Sequence, residues 1–184
     1  MANRITLARI ILIIPFAAMF FINASWAMTA ALALFAIAAV SDYFDGMIAR
    51  ARNETSALGA ALDPLADKLL VATALLLLVK NGFIRDADIL AALIILLREI
   101  LVSGLREALG PRGATLAVTR LAKWKTTAQL IALALFLASS PTGLAGAGFI
   151  PAASAVLWLA ALLTAITGFQ YAKEAIRLLR AGPG

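Results

Sequence analysis

Long apolar runs dominate this chain and restrict the folds open to it. Hydrophobic residues make up 63% of its 184 residues and charged residues only 14%, far from the composition of an average soluble domain. A helix that crosses a bilayer needs about 20 residues, and turn-forming residues separate the apolar runs. The sequence predicts an all-α integral membrane protein with six transmembrane helices, near residues 5–23, 26–50, 62–82, 87–108, 121–139 and 149–172.

One domain covering residues 1–184 is expected, since no linker, low-complexity tract or clear repeat interrupts the chain. The absence of cysteine excludes disulfides and thiolate chemistry. The N-terminal segment has an early arginine and an apolar run, as a signal peptide does, but no A-x-A-like cleavage site follows cleanly. We interpret it as a retained first helix.

The distribution of lysine and arginine predicts the orientation. Thirteen of these residues flank one side of the predicted bundle, and two, Lys80 and Arg85, flank the other. By the positive-inside rule, both termini face the cytoplasm. The net charge of +6 then reflects topology and anionic lipid, and no motif indicates a nucleic-acid partner. The thirteen are Arg4, Arg9, Arg50, Arg52, Lys68, Arg106, Arg112, Arg120, Lys123, Lys125, Lys173, Arg177 and Arg180.

The first interval without charged residues, from Ile10 to Ser41, is too short for two crossings, which need about 40 residues. Both helices must therefore include charged residues at their ends. We expect the Arg9 side chain to extend toward the membrane surface. Asp42 and Asp45 are expected to lie on helix 2 at the membrane boundary.

Four aspartates recur at helical spacing at this boundary. Asp42 and Asp45 share a face of the second helix, and Asp63 and Asp67 share a face of the next segment, because residues three or four apart are neighbours on a helix. Four converging carboxylates repel each other strongly unless a cation lies among them. Ligation by oxygen alone suits Mg²⁺ or Mn²⁺, and the chain has no cysteine or histidine. The pattern predicts a metal site, although a single aspartate at a helix end is often merely solvated.

Asp63 has a second interpretation, because Pro64 follows it. An aspartate before a proline is typical of a helix N-cap with proline at the first helical position. In that case the third helix would begin at Asp63, and Gly59 would lie outside the face that Asp63 and Asp67 share.

The aspartates belong to one motif, Asp42-x-x-Asp45-Gly46-x-x-Ala49-Arg50, eight residues, then Gly59-x-x-x-Asp63-x-x-x-Asp67. This motif resembles the signature of the CDP-alcohol phosphatidyltransferases, with all eight defining positions present at the family's spacing. The resemblance extends over nearly the whole chain. Downstream segments look like the bacterial branch that forms phosphatidylglycerol phosphate: Arg98-Glu99-Ile100, Leu105-Arg106-Glu107 and Lys123-Trp124-Lys125-Thr126-Thr127-Ala128-Gln129.

The resemblance implies a reaction and a set of site residues. CDP-diacylglycerol would bind with its diphosphate on the metal site, the primary hydroxyl of sn-glycerol 3-phosphate would attack the phosphorus that bears diacylglycerol, and CMP would leave. Asp42, Asp45 and Asp63 would hold Mg²⁺ or Mn²⁺, while Asp67 would share in ligation or act as the general base. The residues that would frame the CDP moiety are Gly46, Ala49, Arg50 and Gly59.

An acceptor that is itself a phosphate monoester requires cationic groups near the metal. Arg106, at the end of helix 4, and Lys125, at the start of helix 5, are the first candidates, with Lys123 beside them. Cytoplasmic loops are basic in any case, and we interpret Arg112 and Arg120 as topology determinants of that kind.

Arg98 and Glu99 lie deep in helix 4, where charges are costly and usually paired. Because adjacent residues point in different directions on a helix, we expect each to have a partner on a neighbouring helix rather than to pair with the other. Thr126 and Gln129 are expected to form hydrogen bonds between helices. The expected aromatic anchors at the membrane interface are Trp26, Trp124 and Tyr171.

The sequence leaves other functions open. An ion or proton transporter also carries intramembrane aspartates, but nearer the bilayer midplane and beside broken helices. A purely structural scaffold would not need them. Within the enzyme class the acceptor could instead be phosphatidylglycerol, inositol phosphate or serine. The expected location is the bacterial cytoplasmic membrane with the site facing the cytoplasm, and the resemblance suggests a homodimer.

Overall fold

The computed structural model describes the backbone of residues 2–52, 57–110, 116–117, 119–140 and 143–180, and the side chains of this set apart from residues 2–6, 42–52, 57–61 and 63. In that part of the chain the regular structure is entirely helical, which confirms the all-α prediction. The helices are α1 (Ala2–Met19), α2 (Ala27–Arg52), α3 (Ala57–Lys80), α4 (Asp88–Leu109), α5 (Arg120–Ala138) and α6 (Ile150–Arg180), with a short 3₁₀ helix, Ala147–Phe149, before α6.

The third helix begins earlier than the N-cap interpretation requires. α3 starts at Ala57, so Asp63 lies inside the helix and that interpretation is wrong. The residues before Asp63 are mostly alanine and leucine, which are strong helix formers. The helix continues through Pro64, and apolar helices that pack against neighbours tolerate proline in this way. Gly59, Asp63 and Asp67 therefore lie on one helix at four-residue spacing.

The sixth helix is longer than expected and ends at Arg180 instead of residue 172. The residues after 172 include alanine, glutamate, leucine and arginine, all of which favour helix. Arg177 and Arg180 lie in the last turn, where positive charge interacts favourably with the helix dipole. The observed ends of α2, α4 and α5 lie within two residues of the predicted ones.

The chain divides into two units, and the first comprises Met1–Ile84 and Leu133–Ala153. In this unit α1 packs against both α2 and α3. Phe16 of α1 lies edge-on to Phe20, with 5.4 Å between ring centroids, and 5.9 Å from the ring of Phe35 on α2. All three rings are buried. Thus α1 contacts both of the helices that carry the aspartate motif.

The turn after α3 follows the chemistry expected at Asn81-Gly82. Gly82 adopts a positive φ of 70°, a conformation that glycine reaches without strain. The backbone N–H groups of Phe83 and Ile84 donate to the carbonyl of Leu78 at 2.9 and 3.2 Å. These bonds satisfy a carbonyl that would otherwise be left unpaired at the helix end.

The second unit comprises Arg85–Ala132 and Ser154–Gly184. A polar contact ties the start of α4 to α6: Asp88 Oδ1 accepts hydrogen bonds from Ser154 Oγ at 2.6 Å and from Trp158 Nε1 at 3.0 Å. One apolar cluster packs the other end of α4 against α6. Its buried members are Val102, Leu109, Leu116, Tyr171 and Ala175. The prediction of one domain over residues 1–184 stays a prediction.

Large apolar side chains are exposed on all six helices, which is unusual for a protein surrounded by water. Ile14 and Leu76 are each 70% exposed, and Phe169 is 75% exposed. Among the described residues, two helical segments, Arg120–Ala138 and Ala147–Arg180, are long and apolar enough to cross a membrane by length and composition. Six crossings and the cytoplasmic placement of both termini stay predictions.

Candidate active site

The aspartate motif lies on two helices of the first unit. Asp42 and Asp45 lie near the C-terminal end of α2, and Asp63 and Asp67 lie in the first half of α3. The helical backbone at all four positions confirms the shared faces that the spacing predicted. The side chains of Asp42, Asp45 and Asp63 lie outside the described residues. The same holds for the proposed CDP-binding residues, whose backbone is helical: Gly46, Ala49, Arg50 and Gly59.

Asp67 is the aspartate of the motif whose side chain is described, and it pairs with Arg9. Arg9 Nη1 donates a hydrogen bond to Asp67 Oδ1 at 3.0 Å. The Arg9 side chain is 1% exposed and that of Asp67 is 50% exposed. The expectation that Arg9 reaches the membrane surface is therefore wrong. The buried guanidinium is instead paired and hydrogen-bonded with a carboxylate on the adjacent helix, as a buried charge requires.

A signal for this contact exists in the sequence. Arg9, Phe16 and Phe20 are buried on α1 and on the turn that follows it. Separations of seven and four residues place these positions on one face of a helix. The pattern of the two phenylalanines therefore puts Arg9 on the side that packs against neighbouring helices.

The donor set of the motif fits a hard divalent cation. Aspartate carboxylates are oxygen ligands of the kind that Mg²⁺ and Mn²⁺ prefer. The Asp67 side chain is half exposed, so a metal ion can reach its carboxylate. Within the described side chains no group of three or more candidate metal ligands occurs. The ligand roles of Asp42, Asp45, Asp63 and Asp67 stay predictions.

The proposed acceptor-binding residues Arg106, Lys123 and Lys125 lie in the second unit, and Lys125 contacts Glu99 of α4. Lys125 of α5 is buried and forms an ion pair with Glu99 Oε1. Arg98 Nη1 lies 3.4 Å from the same oxygen, and Arg98 Nη2 donates to Thr167 Oγ1 of α6 at 3.2 Å. The expected partners on neighbouring helices are thus confirmed for Arg98 and Glu99. The expectation that these adjacent residues do not pair is wrong, because the long arginine side chain curves back toward its neighbour.

Tyr171 joins two arginines of α4. The guanidinium carbon of Arg98 lies 5.3 Å from the centre of the Tyr171 ring, and that of Arg106 lies 5.4 Å from it, both within the range of cation–π attraction. The Tyr171 hydroxyl accepts a hydrogen bond from the Thr119 N–H at 3.3 Å. Tyr171 is buried, so its predicted role as an interfacial anchor is wrong. Trp26 is 57% exposed and Trp124 is 69% exposed, as their predicted role requires.

We refer to Arg98, Glu99, Arg106, Lys125 and Tyr171 as the α4 cluster. It contains three cationic side chains and one carboxylate, so its charge favours an anionic ligand. Arg106, at the exposed end of the cluster, is the member most open to a ligand from solution.

Gly168 makes room for the α4 cluster. A Cβ atom at this position would lie 2.7 Å from Arg98 Cγ, which is closer than such atoms approach. The preceding residue, Thr167, accepts the hydrogen bond from Arg98 and donates to the Leu163 carbonyl at 2.9 Å. No role was predicted from the sequence for Thr167 and Gly168. A hydroxyl next to a glycine on an apolar helix is a weak signal of close approach by a polar neighbour.

Three other predicted polar residues of α5 have different environments. Lys123 is exposed. Thr126 Oγ1 donates to the Ala122 carbonyl of its own helix at 3.2 Å, so its predicted hydrogen bond between helices is wrong. Threonine hydroxyls commonly bond one turn back along a helix. Gln129 is buried, and its Oε1 has no hydrogen-bond partner among the described residues.

Comparison with known proteins identifies the family. The sequence matches the CDP-alcohol phosphatidyltransferase family over residues 1–166. Curated relatives named CDP-diacylglycerol–glycerol-3-phosphate 3-phosphatidyltransferase cover most of the chain. The Cereibacter sphaeroides protein is 38% identical over an alignment of 212 positions, which covers 97% of this chain and 96% of that protein. The Rickettsia prowazekii protein is 41% identical over 174 residues, and the Escherichia coli (strain K12) protein is 39% identical over 173 residues; each match covers 93% of this chain and 92% of the relative. The chain belongs to the CDP-alcohol phosphatidyltransferase family.

Proposed function

We propose that this protein transfers the phosphatidyl group from CDP-diacylglycerol to sn-glycerol 3-phosphate and releases phosphatidylglycerol phosphate and CMP. The observation that carries the proposal is the similarity to relatives with that activity in their name, which extends over 93% or more of this chain. The aspartate motif, complete at its eight positions, supports the same reaction class.

The aspartate site would bind the diphosphate of CDP-diacylglycerol through Mg²⁺ or Mn²⁺ held by Asp42, Asp45, Asp63 and Asp67. When bound, the metal would supply positive charge that offsets the charge on the phosphates and on the departing CMP. The acceptor hydroxyl oxygen forms a bond to the phosphorus that bears diacylglycerol, and the bond from that phosphorus to the CMP oxygen breaks. The hydroxyl proton passes to a base, for which we propose Asp67, because its carboxylate is half exposed.

The CDP moiety would lie along the faces of α2 and α3 that carry the motif. Gly46 and Gly59 have no side chain and allow close approach of the backbone. Ala49 presents only a methyl group at its position. Arg50 would hold a phosphate oxygen through a charge-assisted hydrogen bond.

The phosphate of the acceptor would bind to cations of α4 and α5. Arg106 and Lys125 belong to the α4 cluster, in which positive charge exceeds negative charge, and Lys123 lies two residues before Lys125 on α5. Lys125 is already paired with Glu99, so it would share its ammonium group between that carboxylate and the substrate. Arg106 is exposed and would make the first contact.

The protein would work in the bacterial cytoplasmic membrane with its active site facing the cytoplasm. Exposed apolar side chains on all six helices suit contact with lipid. The thirteen-to-two distribution of lysine and arginine supports the orientation. Assembly as a homodimer is part of the proposal and rests on the family resemblance.

The identity of the acceptor is tested with purified protein in detergent, CDP-diacylglycerol, Mg²⁺ and one acceptor at a time. The panel contains sn-glycerol 3-phosphate, phosphatidylglycerol, inositol phosphate and serine, and the lipid product is identified by mass. We expect phosphatidylglycerol phosphate as the main product. Faster turnover with another acceptor would contradict the proposed substrate, and metal-dependent ion flux in sealed vesicles without CMP release would indicate a transporter.

A further inference from the structure

Arg9 is a charged side chain in an unusual place. It is 1% exposed, on the helix that packs against both α2 and α3. A guanidinium buried to this extent is costly unless it is paired and hydrogen-bonded. A leucine or methionine would fill the same space without that cost, so packing does not explain an arginine at this position.

The two partners of the Arg9–Asp67 pair differ in exposure. Arg9 Nη1 and Asp67 Oδ1 are 3.0 Å apart, and half of the Asp67 side chain is accessible. A buried group therefore fixes one side of a carboxylate that ligands can reach from another side. Site carboxylates that bind metals or substrates are commonly oriented in this way by a fixed hydrogen-bond donor.

We propose that Arg9 is a positioning residue that fixes the orientation of the Asp67 carboxylate in the aspartate site. A planar guanidinium restricts the position of its partner oxygen more than an ammonium group does. The chemistry in which Asp67 takes part rests on the function proposed above. The metal-binding measurement below does not require turnover.

Arg9 also places one positive charge beside an acidic site. Its removal ends the repulsion between a guanidinium and a divalent ion, so the site should attract that ion no less strongly. The other three aspartates of the proposed site would still hold the ion, so loss of orientation at Asp67 acts mainly on the reaction, and loss of such a partner typically costs about 10- to 100-fold. The proposal therefore predicts that turnover falls while metal binding is retained, a combination that general unfolding would not produce.

The experiment compares Arg9→Gln and Arg9→Lys with a control, Arg85→Gln. The control removes an exposed arginine whose Nε lies 3.9 Å from Asp86 Oδ2. Mn²⁺ binding is measured by electron paramagnetic resonance without substrates, and kcat and KM for CDP-diacylglycerol are measured from CMP release. For Arg9→Gln we expect Mn²⁺ binding at least as tight as in the unaltered protein, a kcat lower by about 10- to 100-fold, and a similar KM. Arg9→Lys should recover part of the kcat, and Arg85→Gln should match the unaltered protein.

A normal kcat in Arg9→Gln would overturn the proposal, and so would a loss of Mn²⁺ binding in parallel with kcat. If Arg9→Gln does not fold, Arg9→Lys decides: lowered kcat with retained Mn²⁺ binding supports positioning, and unchanged kcat contradicts it. If the unaltered protein binds Mn²⁺ but releases no CMP, the proposed function fails. Weaker Mn²⁺ binding in Arg9→Gln would then still count against Arg9 as a positioning residue.

Discussion

Glu99 is the carboxylate of the α4 cluster and pairs with two of its three cationic side chains. Its Oε1 contacts the ammonium group of Lys125 and lies 3.4 Å from Arg98 Nη1, and the carboxylate is largely buried. Removing one partner of a buried ion pair leaves the other charge uncompensated, which destabilises a protein strongly. Lys125→Ala would therefore disturb Glu99 as well as any substrate contact. Arg106, which is exposed, gives a cleaner test of acceptor binding.

Arg106→Ala should raise the KM for sn-glycerol 3-phosphate by about tenfold or more, because a hydrogen bond to a charged group contributes about 1.5–3 kcal/mol. The KM for CDP-diacylglycerol should change much less. Arg177→Ala, which removes an exposed arginine of the same unit, is the control. Steady-state CMP release at varied concentrations of each substrate measures both constants. Equal increases in the two KM values would argue against a phosphate contact at Arg106.

Gly168→Ala should destabilise the protein by about 1–3 kcal/mol, because the added methyl group overpacks the site against Arg98. The distance of 2.7 Å to Arg98 Cγ leaves no room for it. Gly104→Ala is the matched control on α4, where a Cβ meets no atom within 4 Å and alanine favours the helix by about 0.5–1 kcal/mol. The midpoint of thermal unfolding in detergent should therefore fall in Gly168→Ala and rise in Gly104→Ala. A stable Gly168→Ala protein would show that Arg98 moves aside without cost.

The helices show how far sequence reasoning extends. Length and apolar content predicted all six, and the spacing of the motif placed Asp63 and Asp67 on one face. Side-chain partners were harder to predict, because an arginine near a helix end can either extend to water or pair with a carboxylate. The packing of α1 against α3 brings Arg9 beside Asp67, and the two side chains pair. Tyr171 was misplaced for a related reason, since it lies well inside a helix that continues to Arg180.

Asp88→Ala should destabilise the protein by about 1–3 kcal/mol. The substitution removes the acceptor of two hydrogen bonds between α4 and α6, from Ser154 and Trp158. Asp88→Asn keeps a side-chain oxygen and should lose less. The midpoint of thermal unfolding in detergent measures both variants. Equal midpoints for Asp88→Ala and the unaltered protein would mean that these bonds add nothing to stability.

The predicted placement of the chain in the membrane rests on its charges and its apolar surface. Because the natural sequence has no cysteine, single cysteines report orientation without background labelling. Arg85→Cys and Arg177→Cys replace side chains that are 72% and 77% exposed. An impermeant maleimide should label Arg85→Cys in cells whose cytoplasmic membrane is intact, and Arg177→Cys only after that membrane is opened. The reverse result would invert the predicted orientation.

The most direct test of the proposed function is the metal dependence of CMP release by the purified protein. With CDP-diacylglycerol and sn-glycerol 3-phosphate present, release should require Mg²⁺ or Mn²⁺, stop when a chelator is added, and resume when metal is restored. Asp67→Asn should lower kcat by about 100-fold or more under the same conditions. Release at full rate in excess chelator, or a normal kcat in Asp67→Asn, would contradict a metal-dependent transfer at the aspartate site.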